Sequence, residues 1–164
     1  MPEGGARFRR LQRVSMEIRN ATSLRILTAL REAVLDYPAD GLTVELKYCP
    51  KGSRRYISGT YYRTARAYEN GKLIRLRINR GNRYPVEVQF KTSEYYKRRN
   101  ARGEELTYQK LKTIKFHTPE DLVLAIFLHE FSHYLDHMEG RNGRYKQTKA
   151  DRFALALLRK LDVI

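Results

Sequence analysis

His129, Glu130 and His133 stand in the order His-Glu-Phe-Ser-His, an H-E-x-x-H spacing within a stretch that reads as helix. Residues four apart share one helical face, so His129 and His133 can offer both imidazoles to a single metal ion. Glu130 is turned by about 100° from His129 and can reach a metal-activated water without being a ligand itself. Zinc lowers the pKa of such a water towards roughly 7, and the glutamate, as general base, takes its proton during attack on a carbonyl. Three fixed residues match by chance in on the order of 0.5% of chains this long. The plainer reading makes the two histidines ordinary helix residues near a core. The neighbours sharpen the choice: Leu128, Phe131 and Tyr134 are apolar or aromatic, and neither x position carries a charge.

The helix carrying the motif should begin at Thr118-Pro119-Glu120-Asp121. Threonine caps, proline fits the first helical position, and two acids complement the positive end of the helix dipole. The apolar block Leu122 to Leu128 follows, as a buried central helix requires. Glu139-Gly140-Arg141-Asn142-Gly143 ends it, with two glycines available for positive φ. A last helix is expected from about Gln147, with Ala150, Phe153, Ala154, Leu157, Leu158 and Leu161 on one face. His137 repeats the four-residue step. Eight helical residues rise about 12 Å, so His137 joins His129 on one ion only if the helix breaks early. His117, just ahead of the helix, reads as a strand-end residue.

The elements that must hold this helix come earlier in the chain. Leu24, Leu27, Leu30, Val34 and Leu35 recur at helical spacing, with Thr22 or Ser23 as N-cap and Pro38 past the end. Leu42, Val44 and Leu46 alternate with polar residues, and Cys49 to Arg55 is turn-like. Tyr56 to Glu69 reads as strand, and Asn70-Gly71 as a two-residue hairpin turn. Leu73, Ile74, Leu76 and Ile78 then alternate with Arg75, Arg77 and Asn79, and Val86, Val88 and Phe90 with Glu87 and Gln89. Ser93 to Lys112 lacks a period and reads as a long excursion with a helical piece. The fold class is α+β: an N-terminal helix, a small mostly antiparallel sheet of three to five strands, the motif helix and a C-terminal helix. Residues 1–20 form a basic arm and 21–164 one domain, since 164 residues leave little room for two.

Composition bounds the partners. With 41% hydrophobic and 31% charged residues the chain is foldable rather than disordered. Its longest apolar run is seven residues, against roughly 20 for a membrane span. The first twenty residues lack an apolar signal region, and the lone Cys49 has no partner for an internal disulfide. The expectation is a soluble, cytoplasmic protein without membrane contact. The net charge of +15 is confined to residues 1–116, which hold 26 Lys+Arg and 11 Asp+Glu; residues 117–164 hold seven of each. Eighteen of the 26 cations are arginine, suited to bidentate phosphate contacts. Tyr56, Tyr61, Tyr62, Tyr68, Tyr84, Tyr95 and Tyr96 lie among them and suit stacking on unpaired bases. The plainer reading is basicity for solubility or for an acidic protein partner, with half-buried packing tyrosines.

The motif and the order of elements resemble the zincin metallopeptidases, and within them the compact glutamate- or aspartate-type members. The segment Gln147-Thr148-Lys149-Ala150-Asp151-Arg152-Phe153-Ala154 is similar to the E-x-x-A-[DN]-x-F-A segment of ImmA/IrrE-like peptidases. The resemblance implies a third zinc ligand at the position of Gln147, where those families carry glutamate. An amide is a weak zinc ligand, so Asp151, one turn later, is the expected ligand, with Gln147 the alternative and His137 a remoter one. The plainer role for Asp151 is to hold a ligand histidine. The short, basic SprT-like proteases, which act on DNA-bound proteins, are also similar, but they take a later histidine as third ligand, and none follows His137 here.

The combined expectation is a zinc-dependent endopeptidase in which His129, His133 and Asp151 bind Zn2+ and Glu130 is the general base. Its substrates are proteins or peptides, with nucleic acid as a partner through basic residues 1–116. The arginine-alternating strand Leu73 to Asn79 is the expected cleft edge, because extended substrates pair with such edges. Which residue stabilises the oxyanion is not legible in the sequence; Tyr134 and Tyr145 are merely near the motif in sequence. Two other classes remain open: a nucleic-acid-binding module with a structural or vestigial zinc site, and a non-catalytic, toxin-like interaction protein.

Overall fold

A computed structural model of the chain describes residues 16–68, 71–141 and 146–164. Its first strand, β1 (Glu17–Asn20), lies at the end of the expected basic arm, so that end of the arm belongs to the sheet. Asn20 then delays the first helix. Its Oδ1 accepts from the Thr22 N–H (2.9 Å) and hydroxyl (2.6 Å), and its Nδ2 donates to the Leu24 carbonyl (2.8 Å). Thr22 is thereby used in an Asx-type turn instead of a cap, and α1 spans only Leu27–Ala33.

The main sheet has the order β1-β2-β4-β3, with β2 at Leu42–Tyr48, β3 at Ile57–Tyr62 and β4 at Lys72–Ile78. β1 and β4 flank β2 in parallel, and β3 pairs antiparallel with β4. The sheet is therefore mixed: the chain leaves β2, forms the edge strand, then returns to fill the space between. The expected hairpin partners do pair, but Tyr62 stands opposite Leu73, so residues 63–71 form the connection rather than a two-residue turn. Tyr68 draws this connection back over the sheet, because its hydroxyl donates to the buried Glu45 carboxylate. Gly71 ends it at φ +66°, and Asn70 lies outside the described residues.

Alternation decides the two faces of the sheet. Val44, Leu46, Ile74, Leu76 and Ile78 are fully buried on the face covered by helices. Glu45 lies opposite Arg75 on the other face and pairs with Arg75 Nε and Lys47 Nζ, each at 3.0 Å. Burial works against ionisation of Glu45, but the hydrogen bonds from Tyr68, Lys47 and Arg75 outweigh it and hold its pKa below the usual value.

β5 (Val86–Arg99) and β6 (Glu105–Phe116) form a separate antiparallel ribbon, irregular between Lys91 and Tyr95. Six strands are thus described, against the expected three to five. The segment Ser93 to Lys112 is two paired strands joined by a turn after Arg99, not an excursion with a helical piece. Its sequence lacks a period because both faces of the outer ribbon are exposed, which removes the alternation that marks a half-buried strand.

Two long helices complete the α+β fold: α2 (Pro119–Met138) and α3 (Gln147–Lys160). The Thr118 hydroxyl caps α2 by accepting from the Asp121 N–H at 3.2 Å, with Pro119 in the first turn. Leu122, Val123, Ala125, Phe127, Leu128 and Phe131 are wholly buried, so α2 is the central helix. α3 packs on it through Ala150, Ala154, Leu157 and Leu158. Among the described residues no helix is long and apolar enough to cross a membrane.

Candidate active site

The i and i+4 positions of α2 bring the two imidazoles together. His129 Nε2 and His133 Nε2 lie 3.3 Å apart, with the rings edge to face. Two metal–nitrogen bonds of about 2.05 Å at a tetrahedral angle put the nitrogens about 3.3 Å apart, so the pair has the spacing of two ligands on one ion. The other nitrogen of His129 is occupied: Nδ1 lies 2.6 Å from Asp151 Oδ1. With Nδ1–H donating to that carboxylate, Nε2 presents its lone pair to the shared point.

Asp151 therefore sits behind His129, not beside it. Its second oxygen, Oδ2, accepts from the Lys91 backbone N–H at 2.7 Å. Both carboxylate oxygens are used in these contacts, on the side of His129 away from its Nε2. Gln147, at the start of α3, lies near enough to both imidazoles to favour their charged forms. Among the described residues no group of three or more His, Cys, Asp or Glu converges on a metal position.

The charges follow from burial and these partners. Burial lowers the pKa of His129, but the Asp151 hydrogen bond and the nearby Glu130 and Asp151 charges raise it above the usual value. His133 is lowered by burial and by His129. Burial raises the Glu130 carboxyl, against opposition from His129 and from a hydrogen bond donated by the Tyr61 backbone. A carboxylate raised by desolvation is the better proton acceptor.

The Tyr61 contact shows which strand borders the site. Glu130 reaches β3, the sheet edge, and Gly59 lies directly against it. A Cβ at Gly59 would stand 2.6 Å from Ile126 Cγ2 and 3.1 Å from Glu130 Cγ. Glycine is required because the strand backbone rests on the motif helix. The Tyr61 N–H points away from β4 towards Glu130, so Gly59, two residues earlier, presents its backbone groups to the same side. A cleft of about 300 Å3 opens there, between Ile57–Gly59 and Val88–Phe90, floored by Ile126, His129 and Glu130. The expected cleft edge, Leu73 to Asn79, is instead the inner strand β4, paired on both sides, and alternation puts Arg75 and Arg77 on the face opposite the core.

The remaining candidates lie elsewhere. Helix α2 continues unbroken to Met138, and His137 Nδ1 is bonded to the Tyr61 hydroxyl at 2.7 Å, anchoring β3 to α2. Burial and the neighbouring Tyr134 push the Tyr61 hydroxyl up to about 12. Tyr134 is 1% exposed and donates to the Asp40 carbonyl at 3.3 Å, so it is a core residue rather than an oxyanion stabiliser. Tyr145 lies outside the described residues. His117 is exposed and does not line the cleft. Gly59, Tyr61 and Lys91 are not legible as site residues in the sequence. An isolated glycine within a strand pattern is the available signal for Gly59. The other two act through backbone groups, which leave no mark on residue type.

No family model, curated protein or solved structure matches this chain.

Proposed function

We propose that the protein is a zinc-dependent metallopeptidase acting in the cleft between β3 and β5. The observation that carries this reading is the 3.3 Å approach of two Nε2 atoms, one oriented by Asp151, beside the half-buried Glu130 carboxylate at a strand edge. His129, His133 and the Gln147 side-chain oxygen would hold the ion. Zinc supplies Lewis acidity there, polarising a carbonyl and making water acidic near neutral pH.

The chain's own residues do the rest. An extended peptide pairs with the outward backbone groups of β3 near Gly59, which presents its carbonyl to the floor of the cleft. Glu130 accepts the proton of the attacking water and returns it to the leaving amine. The Tyr61 N–H holds the carboxylate against the strand, and Asp151 keeps the His129 lone pair aimed inward. The alternative, a structural metal site in a binding module, shares the two histidines but has no use for Glu130. Glu130→Gln separates the two. Zinc content by elemental analysis should stay at one per chain, while cleavage of fluorescein-labelled casein should fall by at least 100-fold. Wild-type protein that binds zinc yet never cleaves, or a Glu130→Gln variant that cleaves normally, would remove the peptidase reading.

A further inference from the structure

The outer half of the β5–β6 ribbon has no role in the cleft. From Lys91 outward both strands are exposed on both faces, save for half-covered Thr92, Asn100 and Gln109. A two-stranded ribbon without a packed face is marginally stable by itself, so one that extends roughly 25 Å from its last buried residues suits an external partner. We infer that this ribbon is a docking element for double-stranded DNA, its outer half entering the major groove and its root holding the phosphate backbone.

Charge is the first support. Lys91 to Lys112 contains seven Lys+Arg against three glutamates. The glutamates are tied locally: Glu94 to Lys110 (3.1 Å), Glu105 to Lys97 (3.9 Å) and Glu104 to the Asn100 amide (3.4 Å). Arg98, Arg99 and Arg102 have no carboxylate partner among the described residues and stand at the tip. At the root, a groove of about 610 Å3 between the ribbon and α3 is lined by Lys91, Lys110, Lys112, Arg152 and Arg159, with Glu94 the one acid. A row of cations along a ribbon and across its base fits a regular array of phosphates.

Shape selects the duplex. A two-stranded ribbon with its side chains fits the major groove of B-form DNA, about 12 Å wide, whereas the deep, narrow major groove of A-form RNA excludes it. Tyr96 and Tyr108 stack on each other across the ribbon, with centroids 5.5 Å apart and planes 21° apart. One face of each ring is covered by the other, which halves the area these two rings offer to unpaired bases. Elsewhere, Tyr48, Tyr62 and Tyr68 lie under Arg80, Arg75 and Arg19, so these three rings are engaged by arginines of this chain. A second copy of the chain is disfavoured because edge-to-edge ribbons would oppose like charges. The root is fastened to the cleft, since Gln109 Nε2 donates to Thr148 Oγ1 at 2.7 Å and the Lys91 N–H to Asp151. This inference does not depend on the peptidase reading.

The test is fluorescence anisotropy of the full chain with a 20-base-pair DNA duplex, the matching RNA duplex and a single strand, between 50 and 200 mM salt. Engagement of about five phosphates gives a log–log salt slope near −4.5 for the DNA duplex. Charge reversal at the tip (Lys97→Glu, Arg98→Glu, Arg99→Glu) should weaken binding by about 100-fold or more at 0.1 M salt with a smaller change in that slope, because the phosphate contacts lie at the root. The same reversal at Lys51, Arg54 and Arg55, an exposed turn far from the ribbon in sequence, should change it little. Circular dichroism checks that both variants fold. Dimethyl sulfate should find guanine N7 protected in the wild-type complex and unprotected with the tip variant. Equal or tighter binding of RNA duplex or single strand, equal losses from both reversals, or unprotected N7 in a formed complex would each overturn the proposal.

Discussion

The two ends of β5 obey different constraints. At Phe90 and Lys91 the strand is locked: Phe90 is buried edge to face against Phe116, and the Lys91 N–H is taken by Asp151, which in turn holds His129. Eight residues on, at Arg99, the same strand touches only its partner β6. Order at the root comes from three elements converging on one carboxylate. The tip has only cross-strand pairs, each worth about 0.2–1 kcal/mol. Positioning chemistry belongs at the first kind of place and electrostatic capture at the second.

The strongest way to break this comparison is to remove one of the two imidazoles proposed to hold the ion. His133→Ala should take zinc from one per chain to none by elemental analysis. It should also abolish the rise in melting temperature that zinc gives the wild type, because an ion bound only by the folded state adds about 4 kcal/mol at a thousandfold excess over Kd. An unchanged zinc-dependent melting shift in this variant would mean the two imidazoles do not share an ion.

Next is Asp151 against Gln147. Asp151→Asn removes the charge that orients His129, and zinc affinity should fall by about 10–100-fold in chelator competition. The same change leaves the Lys91 N–H an acceptor in the amide oxygen, so the fold should survive. Gln147→Glu should act in the opposite direction, since it replaces a neutral amide by a charged carboxylate in reach of both imidazoles. If Gln147→Glu leaves affinity unchanged while Asp151→Asn abolishes it, Asp151 is the ligand after all.

Gly59→Ala probes the wall of the cleft. The new Cβ meets a β-branched Ile126 methyl at 2.6 Å, in a strand fixed by β4 and by the Tyr61–His137 bond. Overpacking of this kind costs about 1–3 kcal/mol, read as a lower urea midpoint at constant slope. Ile126→Ala in the same chain should restore part of it, because the methyl that is struck is gone.

Legibility in the sequence follows the same division. The motif helix can be read because its histidines, cap and apolar block are local in sequence, from Thr118 to His133. Gln147 and Asp151 are legible only as a register, and their roles turn on which one the α3 start aims at the imidazoles, a matter of packing. β4 reads wrongly as an edge because alternation with arginine looks the same on an inner strand whose outer face is solvated. The ribbon escapes a reading by pattern because a strand buried on neither face carries no hydrophobic period.

The smallest effect is expected at Tyr96. Its ring is 49% exposed and stacks on Tyr108, itself 40% exposed, with nothing of the core beneath either. Tyr96→Ala deletes one cross-strand pair and should lower global stability by at most about 1 kcal/mol, because pairs of this kind contribute about 0.2–1 kcal/mol. Zinc affinity should be unchanged, since Lys91, the point where the ribbon meets Asp151, precedes the irregularity in register and is held by Phe90. Hydrogen exchange separates the two ends directly. Amides from Tyr95 to Leu106 should exchange faster in the variant by up to about 5-fold, the equivalent of about 1 kcal/mol, while the Lys91 amide keeps its wild-type protection. Faster exchange at Lys91 together with weaker zinc binding would show that the ribbon and the cleft open as one unit, and that the division between root and tip is false.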